Sequence, residues 1–134
     1  MAWNPSENHK MALPPCHMMF QFFVANGHLD TLVYQRSCDM FLGVPYNITS
    51  YSLLTAIVAN IVGLEPGNLI WTGGDCHIYK NHMEQVERYL AEPMHEPPQL
   101  RFNRRLTSID TVKLEDFELM NYSSGPFIKA PISV

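Results

Sequence analysis

No stretch of this 134-residue sequence stays apolar for long enough to cross a bilayer. Its opening, Met1-Ala2-Trp3-Asn4-Pro5, has neither the basic start nor the apolar run of a secretory signal. These two absences place the chain in the cytoplasm. Cysteine is scarce too: there are three, and a reducing compartment is expected to keep them as free thiols. Basic residues are outnumbered, nine Lys and Arg against thirteen Asp and Glu. The resulting net charge of −4 excludes a broad electrostatic grip on nucleic acid, though a local group of arginines can still hold a small phosphate. Repeats and low-complexity linkers are missing as well, so residues 1–134 read as one domain, with 46% apolar residues to build its core.

The residues that are present alternate between strand and helix patterns. Residues 17–25 are rich in aromatic residues, Met and Val, Asn26-Gly27 follows, and residues 29–34 resume the strand pattern. Asn-Gly accepts the positive φ angles of a type I′ turn, so a hairpin is predicted. Residues 37–45, broken by Gly43 and Pro45, predict a loop. Leu53, Leu54, Ile57, Val58, Ile61 and Val62 fall at the three-and-four spacing of a core-packed helix over 46–62, with Asn47 or Thr49 as its cap. Gly63 ends that helix and Pro66-Gly67 turns the chain. Residues 68–72 then predict a buried strand running into Gly73-Gly74. A second helix fits 81–91, and strand-like stretches stand at 100–103 and 117–119. The class is α+β, helices packed on a mixed β-sheet.

Chemistry-bearing residues are scattered through this frame. Cys16 follows Pro14-Pro15, a stiff approach to the mouth of the first strand. A free cysteine is more often buried and inert; a nearby cation such as Arg36 would favour its thiolate, the nucleophilic form. Cys38 and Cys76 read as packing or loop residues. Cys76, His77 and His82 are types that bind zinc, but no second ligand pair stands at zinc spacing, so no metal is expected. His77 and Tyr79, two apart in an extended segment, point to one face and can share a hydroxyl-bearing ligand, or form a half-buried pair at a strand end. Asp39 and Asn47 flank the loop, where ligand contacts, a turn and a helix cap are all natural roles.

Read as strings, Leu13-Pro14-Pro15-Cys16-His17, Tyr34-Gln35-Arg36-Ser37-Cys38-Asp39 and Phe41-Leu42-Gly43-Val44-Pro45-Tyr46-Asn47-Ile48 closely resemble the thymidylate synthases. So do Gly74-Asp75-Cys76-His77-Ile78-Tyr79-Lys80-Asn81-His82 and Ile128-Lys129-Ala130-Pro131. The blocks keep the family's order and cover nearly the whole chain, which resembles the C-terminal half of a synthase. The resemblance implies an incomplete synthase-like sandwich and reductive methylation of dUMP with 5,10-methylenetetrahydrofolate as co-substrate. Cys16 would add to C6 of the uracil ring. Arg36 would bind the phosphate and favour the thiolate, with Ser37 as a second phosphate contact. Asn47 would read N3–H and O4, and His77 and Tyr79 the ribose hydroxyl. Asp39 would bind the pterin, Leu42 and Gly43 would line the folate pocket, and the tail with Ser133 would close over it. His17 and Gln35 belong to the same wall.

Tyr46, where the family has Phe, and Gly125-Pro126, where it has His-Pro, depart from the pattern. The resemblance also implies an upstream half, with a catalytic glutamate, folate-side tryptophans and further phosphate-binding arginines. The partner it implies is a second copy in a homodimer or a separate upstream half. Two other readings stay open, a non-catalytic fragment or assembly piece and a dUMP hydroxymethylase. Asn47 speaks against a cytosine-specific form of the latter.

Overall fold

Asn26 and Gly27 take φ of 51° and 80° in the computed structural model, which describes residues 3–132. This left-handed pair is what a two-residue hairpin turn needs if its twist is to match the strands. It joins β1 (His17–Ala25) to β2 (His28–Asp39) in antiparallel register, with a bulge between His17 and Met19. The chain then enters α1 (Gly43–Val62), which ends where Gly63 turns left-handed at φ 75° and its N–H returns to Ala59 O. β3 (Glu65–His77) runs parallel to β2 on the side away from β1. The sheet is therefore mixed, ordered β1-β2-β3, and the class is the expected α+β.

One face of the sheet carries α1. Leu29, Thr31, Val33 and Gln35, alternate residues of β2, are buried on it. Thr31 Oγ1 lies 2.7 Å from Thr55 Oγ1, which donates to Tyr51 O at 2.7 Å, so two buried hydroxyls satisfy each other across the helix–sheet seam. Phe20 packs a tilted ring on Tyr51 at 5.6 Å. The opposite face has no helix among the described residues of this unit. Met19, Phe23, Tyr34 and Ile70 stand exposed on it.

Several expectations need correction. α1 begins at Gly43 rather than 46, because the first helical N–H groups need no intrahelical acceptor and Pro45 therefore costs nothing there. Asn47 and Thr49 consequently lie inside the helix and cap nothing, and the loop before it shrinks to residues 40–42. β3 is longer than 68–72 and is not buried throughout; its residues alternate between half-buried and exposed as in a sheet covered on one side. The most deeply buried positions of α1 are Val44, Thr55, Ala56, Ile57 and Ala59, while Leu53, Leu54, Val58 and Ile61 are half-buried. Small residues at the seam let the helix lie close on the strands.

The chain forms two compact units, divided after His77. The second holds α2 (Met83–Ala91), preceded by a 3-10 turn at Lys80–His82, and a two-stranded antiparallel ribbon, β4 (Gln99–Phe102) with β5 (Phe117–Met120). His82 is fully buried and its Nε2 lies 2.7 Å from Pro131 O. Arg104 grips Asp116 with two bonds of 2.6 Å, Lys113 N donates to the same carboxylate at 2.9 Å, and Arg101 pairs with Glu118 across the ribbon.

Candidate active site

Both parallel strands end at one edge of the first unit, where β1 also begins and the N-terminus of α1 points. The carboxyl end of a parallel pair, backed by a helix N-terminus, is the usual place for ligands in such sheets. Cys16, His17, Gln35, Arg36, Ser37, Asp39, Leu42, Gly43, Asn47 and His77 all belong to these segments.

Cys16 immediately precedes β1 and is half-buried. Its carbonyl accepts from Arg36 N at 2.9 Å, and the Arg36 guanidinium donates from Nη2 to Pro14 O, also at 2.9 Å. Both bonds fasten Arg36 to the proline turn that carries the thiol. His17 sets its ring edge-on to Tyr51 at 5.6 Å, and burial pushes the Tyr51 hydroxyl's pKa up.

Gln35, inside the sheet, is 2% exposed. Its Nε2 donates to Ser37 O and to Asn47 Oδ1, both at 3.0 Å, and its Oε1 accepts from Trp71 Nε1 at 3.2 Å. Asn47 is thereby held in the first turns of α1. Trp71 carried no site expectation from the sequence. The only signal for it was the glycine two residues on, since the contact joins residues 36 apart.

Asp39 Oδ1 accepts from Phe41 N and Leu42 N, both at 3.1 Å, so one carboxylate oxygen builds the turn into α1. Met40 N donates to His77 O at 3.0 Å, tying the two strand ends together, and His77 Nδ1 lies 3.2 Å from Asp75 O. Tyr79 lies beyond the end of β3, in the second unit, where it precedes the 3-10 turn and packs edge-on to His82 at 5.5 Å. Ser133 is outside the described residues.

The other thiols differ in setting. Cys38 is fully buried beside its strand partner Cys76, which is exposed. Burial first, then the neighbouring Cys76 thiol, pushes Cys38 up to about 11. Among the described residues no three His, Cys, Asp or Glu side chains converge on a possible metal position, and no helix is long and apolar enough to cross a membrane.

A sequence profile described as thymidylate synthase matches residues 1–134. The chain belongs to the thymidylate synthase family. Thymidylate synthases bind dUMP and methylenetetrahydrofolate and are typically dimeric methyltransferases of nucleotide biosynthesis. In this family member the Cys16 turn, Arg36 and the Asn47 amide share one edge of one unit.

Proposed function

We propose that the chain carries the nucleophile and base-reading part of a cytoplasmic thymidylate synthase that methylates dUMP. The observation that carries this reading is the double fastening of Arg36 to the Cys16 turn, which sets a fixed cation beside the thiol's own backbone. In this reading Cys16 Sγ adds to C6 of the uracil ring, and the electron pair displaced toward C5 makes that carbon nucleophilic. Arg36 and Ser37 hold the phosphate, Asn47 pairs with N3–H and O4, and His77 takes the ribose hydroxyl. His17 and Gln35 complete the wall.

The donor set suits a folate. Asp39 keeps an oxygen free of the hydrogen bonds to Phe41 and Leu42, fit to accept from the pterin's N–H groups, next to an apolar Leu42 and the open backbone of Gly43. The folate, when bound, supplies the one-carbon unit and the reducing equivalents.

The exposed sheet face with Met19, Phe23, Tyr34 and Ile70 supports the homodimer, since an uncovered apolar sheet face of this kind is where a second copy would pack. The resemblance assigns the catalytic glutamate and further arginines to sequence outside these residues. Turnover is therefore expected only when a related upstream half is supplied as a second polypeptide. Acid–base groups of that kind contribute roughly 10²–10⁴ in rate. Tritium release from C5 of labelled dUMP, with folate present, tests this. Release is expected from the complemented protein and should vanish in Cys16→Ala. Release by the chain alone would refute the need for complementation, and release by Cys16→Ala would refute the nucleophile.

A further inference from the structure

An amide can be built either way round, and which way Asn47 faces decides what it reads. With Nδ2 outward it offers a donor to a ring carbonyl; with Oδ1 outward it offers an acceptor to a ring amino group. Nothing within Asn47 chooses between them. We propose that Trp71 makes the choice, acting through Gln35, and so is the residue that sets uracil against cytosine. This rests on the reading of Asn47 as the base-reading amide.

The chain of contacts starts from a side-chain group that has no alternative. An indole nitrogen only donates. Trp71 Nε1 points at Gln35 at 3.2 Å, so the Gln35 atom facing it must be the carbonyl oxygen. The Gln35 amino group then faces the other way, and its two protons go to Ser37 O and Asn47 Oδ1, each at 3.0 Å. Ser37 O, a backbone carbonyl, can only accept, and it enforces the same orientation from the far side. Asn47 must therefore turn its oxygen inward, and its Nδ2 makes no hydrogen bond to the described residues. That nitrogen is the donor left for a ligand, beside the second lone pair of Oδ1, and it suits the C4 carbonyl of uracil while opposing the C4 amino group of cytosine. Because Gln35 is 2% exposed, water has little access to satisfy a reversed amide.

The indole reaches Gln35 because of Gly73. Gly73 is the direct partner of Gln35 in the parallel register, and the Trp71 ring leans across it. A Cβ at Gly73 would lie 2.5 Å from both Trp71 Cη2 and Cys76 Sγ, so a side chain there would crowd the indole and the thiol together. Gly73→Ala is thus a second way to break the relay without touching the tryptophan.

The test is the ratio of dissociation constants for dUMP and dCMP, measured on the full chain by titration into the millimolar range. Trp71→Phe should lower the preference for dUMP about tenfold, the size of one reversed hydrogen bond in a desolvated site, and Gly73→Ala should move it in the same direction. In a Gln35→Leu background Trp71→Phe should have no further effect on the ratio. Equal weakening of both nucleotides, an unchanged ratio, or a full effect of Trp71→Phe in the Gln35→Leu background would each overturn the relay. If the unsubstituted chain binds neither nucleotide, the reading of the substrate fails. The relay is then decided in the free protein by proton exchange at the Gln35 side-chain amide. Slow exchange that speeds up in Trp71→Phe upholds it, and exchange equally slow in both overturns it.

Discussion

In the first unit the residues most withdrawn from water are Leu29, Val33, Cys38, Val44, Ala56, Ile57 and Ala59, with Thr31, Gln35 and Thr55 hydrogen-bonded among them; in the second they are Leu106, His82 and Asp116. The first unit closes a helix over a three-stranded sheet and can use apolar burial, the cheapest source of stability per residue. The second has a four-residue ribbon and short turns, and it holds them with a bidentate ion pair and buried polar anchors. A layer of sheet and helix thus supplies a rigid edge on which to mount side chains. A ribbon with little core depends on geometry that any loss of a partner disturbs.

The largest break should come at Leu106, the one aliphatic side chain fully buried among the described residues of the second unit. Leu106→Ala is expected to cost about 2–5 kcal/mol. Faster amide exchange across β4 and β5 would register it, and unchanged protection would mean that apolar packing matters less there than burial suggests.

Thr55→Val probes the first unit. It strands the Thr31 hydroxyl in the seam at a cost of roughly 1–3 kcal/mol. Adding Thr31→Val should recover part of that cost, because removing both partners leaves nothing unsatisfied. Urea denaturation followed by Trp71 fluorescence reads both variants, and additive losses would show that the hydroxyls are not coupled.

A third prediction uses pH to separate the units. The Arg104 guanidinium, then the Lys113 backbone N–H, hold the Asp116 carboxyl below the usual carboxylate range. The folded state therefore favours the charged form. Its stabilisation is complete above the ordinary aspartate value of about 3.9 and is lost as pH falls through the lowered folded value. Amide protection in the ribbon, relative to intrinsic exchange at each pH, should fall in acid, and Asp116→Asn should remove that acid-dependent component.

The smallest effect concerns the thiols of the first unit. With Cys38 pushed up to about 11, its alkylation should be the slowest of the three at neutral pH and should climb with pH toward that value. Cys16 alone should be protected by dUMP. Protection of the exposed Cys76 in its place would move the nucleotide away from the proline turn.

Much of the frame was legible in the sequence. Asn26-Gly27 announced the hairpin, Gly63 the end of α1, and residues 100–103 and 117–119 the two short strands. The start of α1 was misjudged because Pro45 reads as a breaker, and only position within the helix reveals that its missing N–H is not needed. The α1 seam was misjudged because periodicity favours large apolar residues, whereas close helix–sheet approach selects Ala56, Ala59 and Thr55. The residues picked out by resemblance at the ends of β1, β2 and β3 do share one edge. The link from Trp71 to Gln35 was invisible, since it depends on which residues of two parallel strands stand side by side, and a single sequence does not state that register.

β2 meets β1 across a two-residue turn but meets β3 only after a 20-residue helix has crossed over. Local pairing of this kind forms in about 1–10 μs, while the parallel pairing waits on loop closure. Cys16 and Arg36 belong to the quick half, and Asn47, Trp71 and His77 arrive with the slow one. A chain caught partway through folding would hold Arg36 on the Cys16 turn before Trp71, Gln35 and Asn47 had met. Pulse-labelled hydrogen exchange during refolding, resolved at residues 20–23 and 69–73, would show the first group protected ahead of the second. The Cys16 turn is thus older, in each molecule's own history, than the amide relay that stands beside it.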